Sequence, residues 1–323
     1  QPSVLSQSSS EQLQISLYST LNYSGKFLDN HAIGLLFGVS RESLDNSGFS
    51  ASKQKFPSND TWELDAGLLN PSAGGNSSGY RLGSYFGRLN YNLKEKYLFE
   101  ANFRYDGSSR FAPENRWGLF PSFSGAWRLS EEEFFKKSNL SFISNVKVRG
   151  SWGQLGNQQI SLYQYMDLYS PGQDYIIGGN LAAGLAPTTL SNPDITWETT
   201  TTGDIGADFS FFRDKITVAA DWFKRRTEDI LVRIPLSSLY GGLTAPYQNV
   251  GIVENEGWEV ELAYRNKISD FSYGISGNFT SVNNNVVYFQ GDPKVTPWEH
   301  LKIRMKLLPG QNKRPAVQTS PVI

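Results

Sequence analysis

The chain has 323 residues, with 30 Lys+Arg against 31 Asp+Glu, no cysteine and two histidines, His31 and His300. Near-neutrality removes the basic field that nucleic-acid binding needs, and the lack of thiols removes disulfides, thiolate zinc sites and cysteine nucleophiles. The longest apolar run, Ala32–Val39, is far short of the roughly 20 residues of a membrane-spanning helix, whereas 20 Phe, 16 Tyr, 8 Trp and 30 Gly favour strands.

In chain order, Gln1 to Ser10 has neither a basic start nor an apolar core, so no secretory leader is expected there. Two weak strand candidates follow, Gln12–Tyr23 and Ala32–Ser40. Alternation then sharpens. Over Ser84–Asn92, Tyr85, Leu89 and Tyr91 oppose Ser84, Arg88 and Asn90, with Phe86 on the polar side. The cleanest window is Tyr97–Asp106, where Tyr97, Phe99, Ala101, Phe103 and Tyr105 interleave with Leu98, Glu100, Asn102, Arg104 and Asp106. One face is apolar and the other charged, the period-two signature of a strand. The split recurs with Phe123 and Trp127 against Ser124 and Arg128, and with Val146, Val148 and Trp152 against Lys147, Arg149 and Ser151. It continues with Trp197, Ile205, Phe209 and Phe211 against Glu198, Asp204, Asp208 and Ser210, then with Ile216, Val218 and Trp222 against Thr217 and Asp221. Trp258, Val260, Leu262 and Tyr264 next oppose Glu259, Glu261 and Arg265, and Phe271, Tyr273, Ile275 and Phe279 close the series.

The connections carry a second regularity. Short ones at 24–30, 93–96, 213–215 and 266–270 alternate with long Gly-, Ser-, Asn- and Pro-rich segments at 41–79, 156–193 and 227–256. The intermediate stretch Ser130–Asn145 falls on the short side, with a one-turn helix expected at Glu131–Lys137, and Gly107–Arg116 falls on the long side. Such asymmetry, with strands of about 10 residues, is that of outer-membrane barrels. The expectation is an all-β, antiparallel up-and-down transmembrane β-barrel, partial, of about ten strands and without a plug domain. It covers residues 1–285, and 286–323 form a basic, Pro-rich tail outside the pattern. A mean hydropathy of -0.40 is compatible, because lipid-facing residues alternate with polar lumen-facing ones. The competing fold is a soluble β-sandwich, which also alternates.

Chemistry is sparse. Gly75-Asn76-Ser77-Ser78-Gly79 matches the G-x-S-x-G nucleophile elbow but reads as a flexible Gly/Ser loop. Asp106, Glu114 and Asp174 as paired glycosidase carboxylates, or Asp204, Asp208 and Asp221 as a cation site, are outranked by solvated loops and lumen polarity. No catalytic residue, metal ligand or cofactor is expected.

Several segments in series resemble SusC/RagA-type TonB-dependent transporters. They are Ser84-Tyr-Phe-Gly-Arg-Leu-Asn-Tyr91, Asp106-Gly-Ser-Ser-Arg-Phe111, Asn115-Arg-Trp-Gly-Leu-Phe-Pro-Ser122 and Asn145-Val-Lys-Val-Arg-Gly-Ser-Trp-Gly-Gln-Leu-Gly-Asn157. Asn192-Pro-Asp-Ile-Thr-Trp-Glu198 and Gln248-Asn-Val-Gly251, continuing to Glu256-Gly-Trp-Glu-Val-Glu-Leu262, complete the series. The resemblance implies a plugged barrel of about 22 strands in the bacterial outer membrane, of which this chain is a later fragment not expected to transport alone. It also implies uptake of oligosaccharides or peptides, a SusD-like surface lipoprotein as lid, TonB acting through the plug, and outer-membrane lipid as surroundings. Trp62, Tyr169, Tyr175, Tyr240 and Tyr247 are then candidate ligand or lid contacts, and Asp106, Arg110 and Arg116 candidate rim-shaping residues. Alternatives are a siderophore- or cobalamin-type receptor and a soluble carbohydrate-binding β-sandwich module.

Overall fold

The structure, a computed structural model, describes residues 3–28 and 30–289. One antiparallel sheet of ten strands dominates. Its members are β1 (Val4–Phe27), β2 (His31–Gln54), β3 (Leu69–Leu93), β4 (Tyr97–Ser108), β5 (Trp117–Arg128), β6 (Ile143–Asn157), β7 (Glu198–Phe211), β8 (Ile216–Glu228), β9 (Ile252–Ile268) and β10 (Phe271–Tyr288). Each pairs with its sequence neighbour, so the topology is a plain meander, with β1 and β10 at the two edges.

Register turns the alternation of each strand into a continuous face. Tyr85 pairs with Tyr105, Tyr105 with Leu119, and Phe123 with Trp152. Farther along, Ile205 pairs with Trp222 and Trp222 with Trp258. Because the side-chain period is two, these all emerge on one side of the sheet. That apolar side is the open one: Phe103 is 41% and Trp258 59% exposed. Arg149, Asp204, Asp208 and Asp221, on the opposite side, are mostly buried. A soluble β-sandwich would bury the apolar face against a second sheet. Among the described residues the other strands form only three two-stranded ribbons, which overturns the sandwich expectation.

The apolar face has a measurable height. Trp117 and Trp127 open and nearly close β5 on the same face. Ten residue steps at about 3.3 Å, tilted by about 40°, span roughly 25 Å, the thickness of an outer-membrane apolar band. Each Trp stacks on a tyrosine of β4, Trp117 on Tyr105 at 4.8 Å and Trp127 on Tyr97 at 6.3 Å between centroids. Two aromatic levels bound the band, as interfacial girdles do.

Connections alternate as expected. On one side they cover residues 28–30, 94–96, 129–142, 212–215 and 269–270; on the other, 55–68, 109–116, 158–197 and 229–251. Lys94 and Glu95 both take left-handed backbone (φ 54° and 56°), the two-residue reversal whose twist matches the flanking strands. The helix of the 129–142 turn spans Glu133–Lys136.

Three expectations need correction. The loop expected at 41–79 shrinks to 55–68, because β2 and β3 continue well beyond the apolar band. Gly75–Gly79 is therefore strand, paired to Phe49 through Asp45, and no elbow forms. The cause is composition: Gly, Ser and Asn leave no apolar face to alternate, and the backbone ladder alone carries this extension. Trp197, expected in a strand, precedes β7 and faces the loops. The last strand reaches Tyr288, and the tail from residue 290 lies outside the described residues.

Candidate functional site

The long connections meet at one end of the sheet and share a small core of their own. Phe111 and Ile195 are fully buried, joined by Ile160 and Leu231, with Tyr165, Trp197 and Tyr247 packed around them. Trp197 is the hub. Its ring lies 5.2 Å from that of Phe111 and 5.3 Å from that of Phe120, and its indole N–H donates to the Arg116 carbonyl at 3.0 Å. Gly156 admits the Phe120 ring, since a Cβ there would lie 2.1 Å from it.

Loop backbone taken away from water must find partners, and polar side chains from other loops supply them. Asn249 does most: its Oδ1 accepts from the Thr196 N–H at 2.9 Å, and its Nδ2 donates to the carbonyls of Thr196 and Asp229, each at 3.0 Å. Asn192 donates to the Tyr247 carbonyl at 2.7 Å and Asn115 to that of Pro193 at 3.3 Å. Glu198 accepts from the Leu231 N–H at 3.0 Å and from Asn157 at 3.1 Å. Of the segments quoted above as resembling a known family, 84–91 and 256–262 run within the wall strands β3 and β9, whereas 106–111, 115–122, 192–198 and 248–251, with the end of 145–157, converge here. Their polar residues brace one loop to the next, and Phe111, Ile195 and Trp197 fill the space between.

Of the rim residues picked from the sequence, Arg110 lies 4.9 Å over the Tyr80 ring and donates to the Ile160 carbonyl. Tyr80 in turn donates to Glu42 at 2.6 Å, which raises its hydroxyl pKa. Arg116 contributes its carbonyl, shared by Trp197 and the Ser108 N–H. Asp106 lies lower, on β4, paired with Arg104 at 2.9 Å. Among the aromatics, Trp62, Tyr169, Tyr175 and Tyr240 are exposed; Tyr169 and Tyr175 share the 158–197 loop, while Trp62 and Tyr240 each stand on a different one. Tyr247 is half-buried under the Arg233 guanidinium, 4.6 Å from its ring.

Sequence reading missed the companions of Tyr175. Tyr169–Pro171 pairs with Leu185–Pro187, and Tyr175–Ile177 with Asn180–Ala182, reversing at Gly178 and Gly179 with φ of 59° and 86°. The resulting ribbon presents Ile176, Ile177, Leu181 and Leu185 to solvent, each at least 65% exposed. Three consecutive apolar residues before a Gly-Gly turn were the available signal.

The imagined chemical sites do not assemble. Asp106 and Asp174 have their own partners, Arg104 and the Gly184 N–H, while Glu114 lies in a short 3-10 turn. Asp208 and Asp221 surround the Arg149 guanidinium at 3.2 and 2.6 Å, with Asp204 at 3.5 Å, so an arginine stands where a cation was imagined. Arg149 reaches Asp221 over Gly206, where a Cβ would sit 2.1 Å from the Asp221 carboxylate.

Residues 3–302 match the family model for the TonB dependent receptor-like β-barrel. The chain belongs to that family. TonB-dependent receptor P39 of Formosa agariphila is 34% identical over 275 residues, covering 82% of this chain and 25% of the relative. TonB-dependent receptor SusC of Bacteroides thetaiotaomicron is 37% identical over 215 residues, covering 64% and 21%. In fold the chain is similar to the RagAB peptide transporter, with a TM-score of 0.80 at 24% identity over 88% of this chain and 31% of that one. It spans about a quarter of the length of the curated relatives it matches. A TonB-dependent receptor barrel lies in the outer membrane. The inverted faces follow: the apolar side meets lipid, the charged side the lumen, with long loops outside the cell and short turns in the periplasm.

Proposed function

We propose that this chain forms part of the wall and outer rim of an importer for oligosaccharides or peptides, closed from outside by a SusD-like lipoprotein and driven by TonB through a plug domain. The observation that carries this is the apolar ribbon 169–187 projecting from a braced rim on the extracellular side. An exposed apolar tip on a rigid base suits a protein lid. The relatives named SusC and RagAB support the same reading. Tyr169 and Tyr175 meet the lid; Trp62 and Tyr240 offer rings for stacking on sugar or peptide groups. Tyr247 acts from beneath by holding Arg233. Arg110, Arg116 and Asp106 keep the rim in shape.

The test uses the full-length receptor in its own host, with Tyr175→Ala and Ile177→Asp introduced together. Receptor level in the outer membrane should stay unchanged, while recovery of the lipoprotein with the receptor and growth on the transported nutrient both fall sharply. Undiminished recovery and growth would refute the ribbon's role.

A further inference from the structure

The periplasmic turn between β5 and β6, residues 129–142, is longer than its neighbours and folds toward lipid at both ends. On its first leg, the Glu132 carboxylate accepts from the Tyr97 hydroxyl at 2.7 Å, the Lys96 ammonium at 3.0 Å and the Trp127 indole N–H at 3.1 Å. Tyr97 and Trp127 belong to the lipid-facing girdle, so this leg is fastened to the outside of the wall. On the second leg, the Phe142 ring stacks on Phe211 at 6.4 Å and Phe211 on Phe209 at 6.3 Å, which continues the lipid-facing stripe of β7 into the turn. The Phe142 carbonyl also accepts from the Phe212 N–H at 2.7 Å.

Between the legs, Phe134 on the Glu133–Lys136 helix is 62% exposed, and Leu140 and Phe142 are exposed as well. Apolar side chains left in water beside an established lipid surface gain by entering it. The charges of the turn are matched internally: Lys136 meets Glu131 at 2.7 Å, Lys137 meets Glu133 at 3.2 Å and Arg128 meets Glu131 at 3.3 Å.

We propose that this turn is a membrane foot, whose Phe134, Leu140 and Phe142 insert at the headgroup–acyl boundary of the periplasmic leaflet and take phospholipid as their partner. The grip is apolar and independent of headgroup charge, because the lysines are already paired with glutamates. It rests on the outer-membrane location alone, so failure of the import reading would leave it standing.

The test places a fluorophore on the full-length receptor through Phe134→Cys, in a cysteine-free background, reconstituted into phosphatidylcholine vesicles carrying a shallow nitroxide-labelled lipid. Lys137→Cys, labelled identically, is the water-side reference. Quenching by lipid is expected to be several-fold stronger at 134 than at 137, quenching by aqueous iodide weaker, and both unchanged when phosphatidylglycerol is added. Glu132→Gln should loosen the first leg and reduce lipid quenching at 134 while the barrel keeps its heat-dependent gel shift. Equal iodide access at both positions overturns the proposal, as does protection from iodide without lipid quenching, which would mean a protein covers the foot. Quenching that requires phosphatidylglycerol overturns the apolar grip.

Discussion

Ile195 stands between Asp194 and Thr196, a place where charge and polarity argue for solvent, yet it has no water contact. Its neighbours Phe111 and Leu231 come from other loops and Ile160 from the far end of its own, which is why local pattern could flag the segment as unusual but not assign it a role. Truncation to Ala removes buried methyl groups from a core too small to collapse around the gap, and should cost about 2–5 kcal/mol of rim stability. Limited proteolysis of the full-length receptor would show this as faster cleavage within 158–197, whereas Tyr240→Ala, at an exposed position, should leave the cleavage rate unchanged. Glu132 gives a pH prediction. Hydrogen bonds from Tyr97, Lys96 and Trp127 push its carboxyl down to about 2, below the usual carboxylate range, so its contribution is fully present above about pH 4.5 and is lost as pH falls toward 2. Trp127 fluorescence in the folded receptor should titrate at the low end of that window, about pH 2, and Glu132→Gln should remove the transition.

At the scale of elements, the wall strands were legible because each alternates within itself: Tyr97–Asp106 needs no partner to reveal its two faces. The outer halves of β2 and β3 were not, since Ser47 facing Ser77 and Phe49 facing Gly75 leave only backbone pairing to define them. Trp197 misled for the opposite reason. Its spacing to Ile205 fits a strand, but its indole is taken by Phe111, Phe120 and the Arg116 carbonyl. Two kinds of strand should open at different rates, because protection follows local burial. Hydrogen exchange on the membrane-embedded receptor should therefore be fast for amides in 44–54 and 69–79 and slow for those in 85–92 and 97–106. Equal protection of both sets would mean that the extensions are packed against something else.

For the molecule as a whole, the open edges matter most. Within the sheet β1 and β10 each have one neighbour, and an unpaired edge in hydrocarbon leaves a row of unsatisfied N–H and C=O groups. Residues 3–289 expressed alone should fail to give the heat-dependent gel shift of a closed barrel in detergent, and should regain it when the rest of the receptor is supplied. A monomeric, heat-shifting species from 3–289 alone would contradict the open-wall account. The extracellular end has the reverse property. Within 169–187 the bonds of the ribbon run between its own legs, Tyr169 to Pro187 in register. The tie to another loop, from the Thr244 N–H to the Thr188 carbonyl at 2.9 Å, begins one residue beyond, where the rim core below is locked by other loops. Tyr169 and Pro187 are therefore the natural splice points of a cassette: what the receptor meets outside the cell can be rewritten there while the joints that keep the barrel mouth in shape are left untouched.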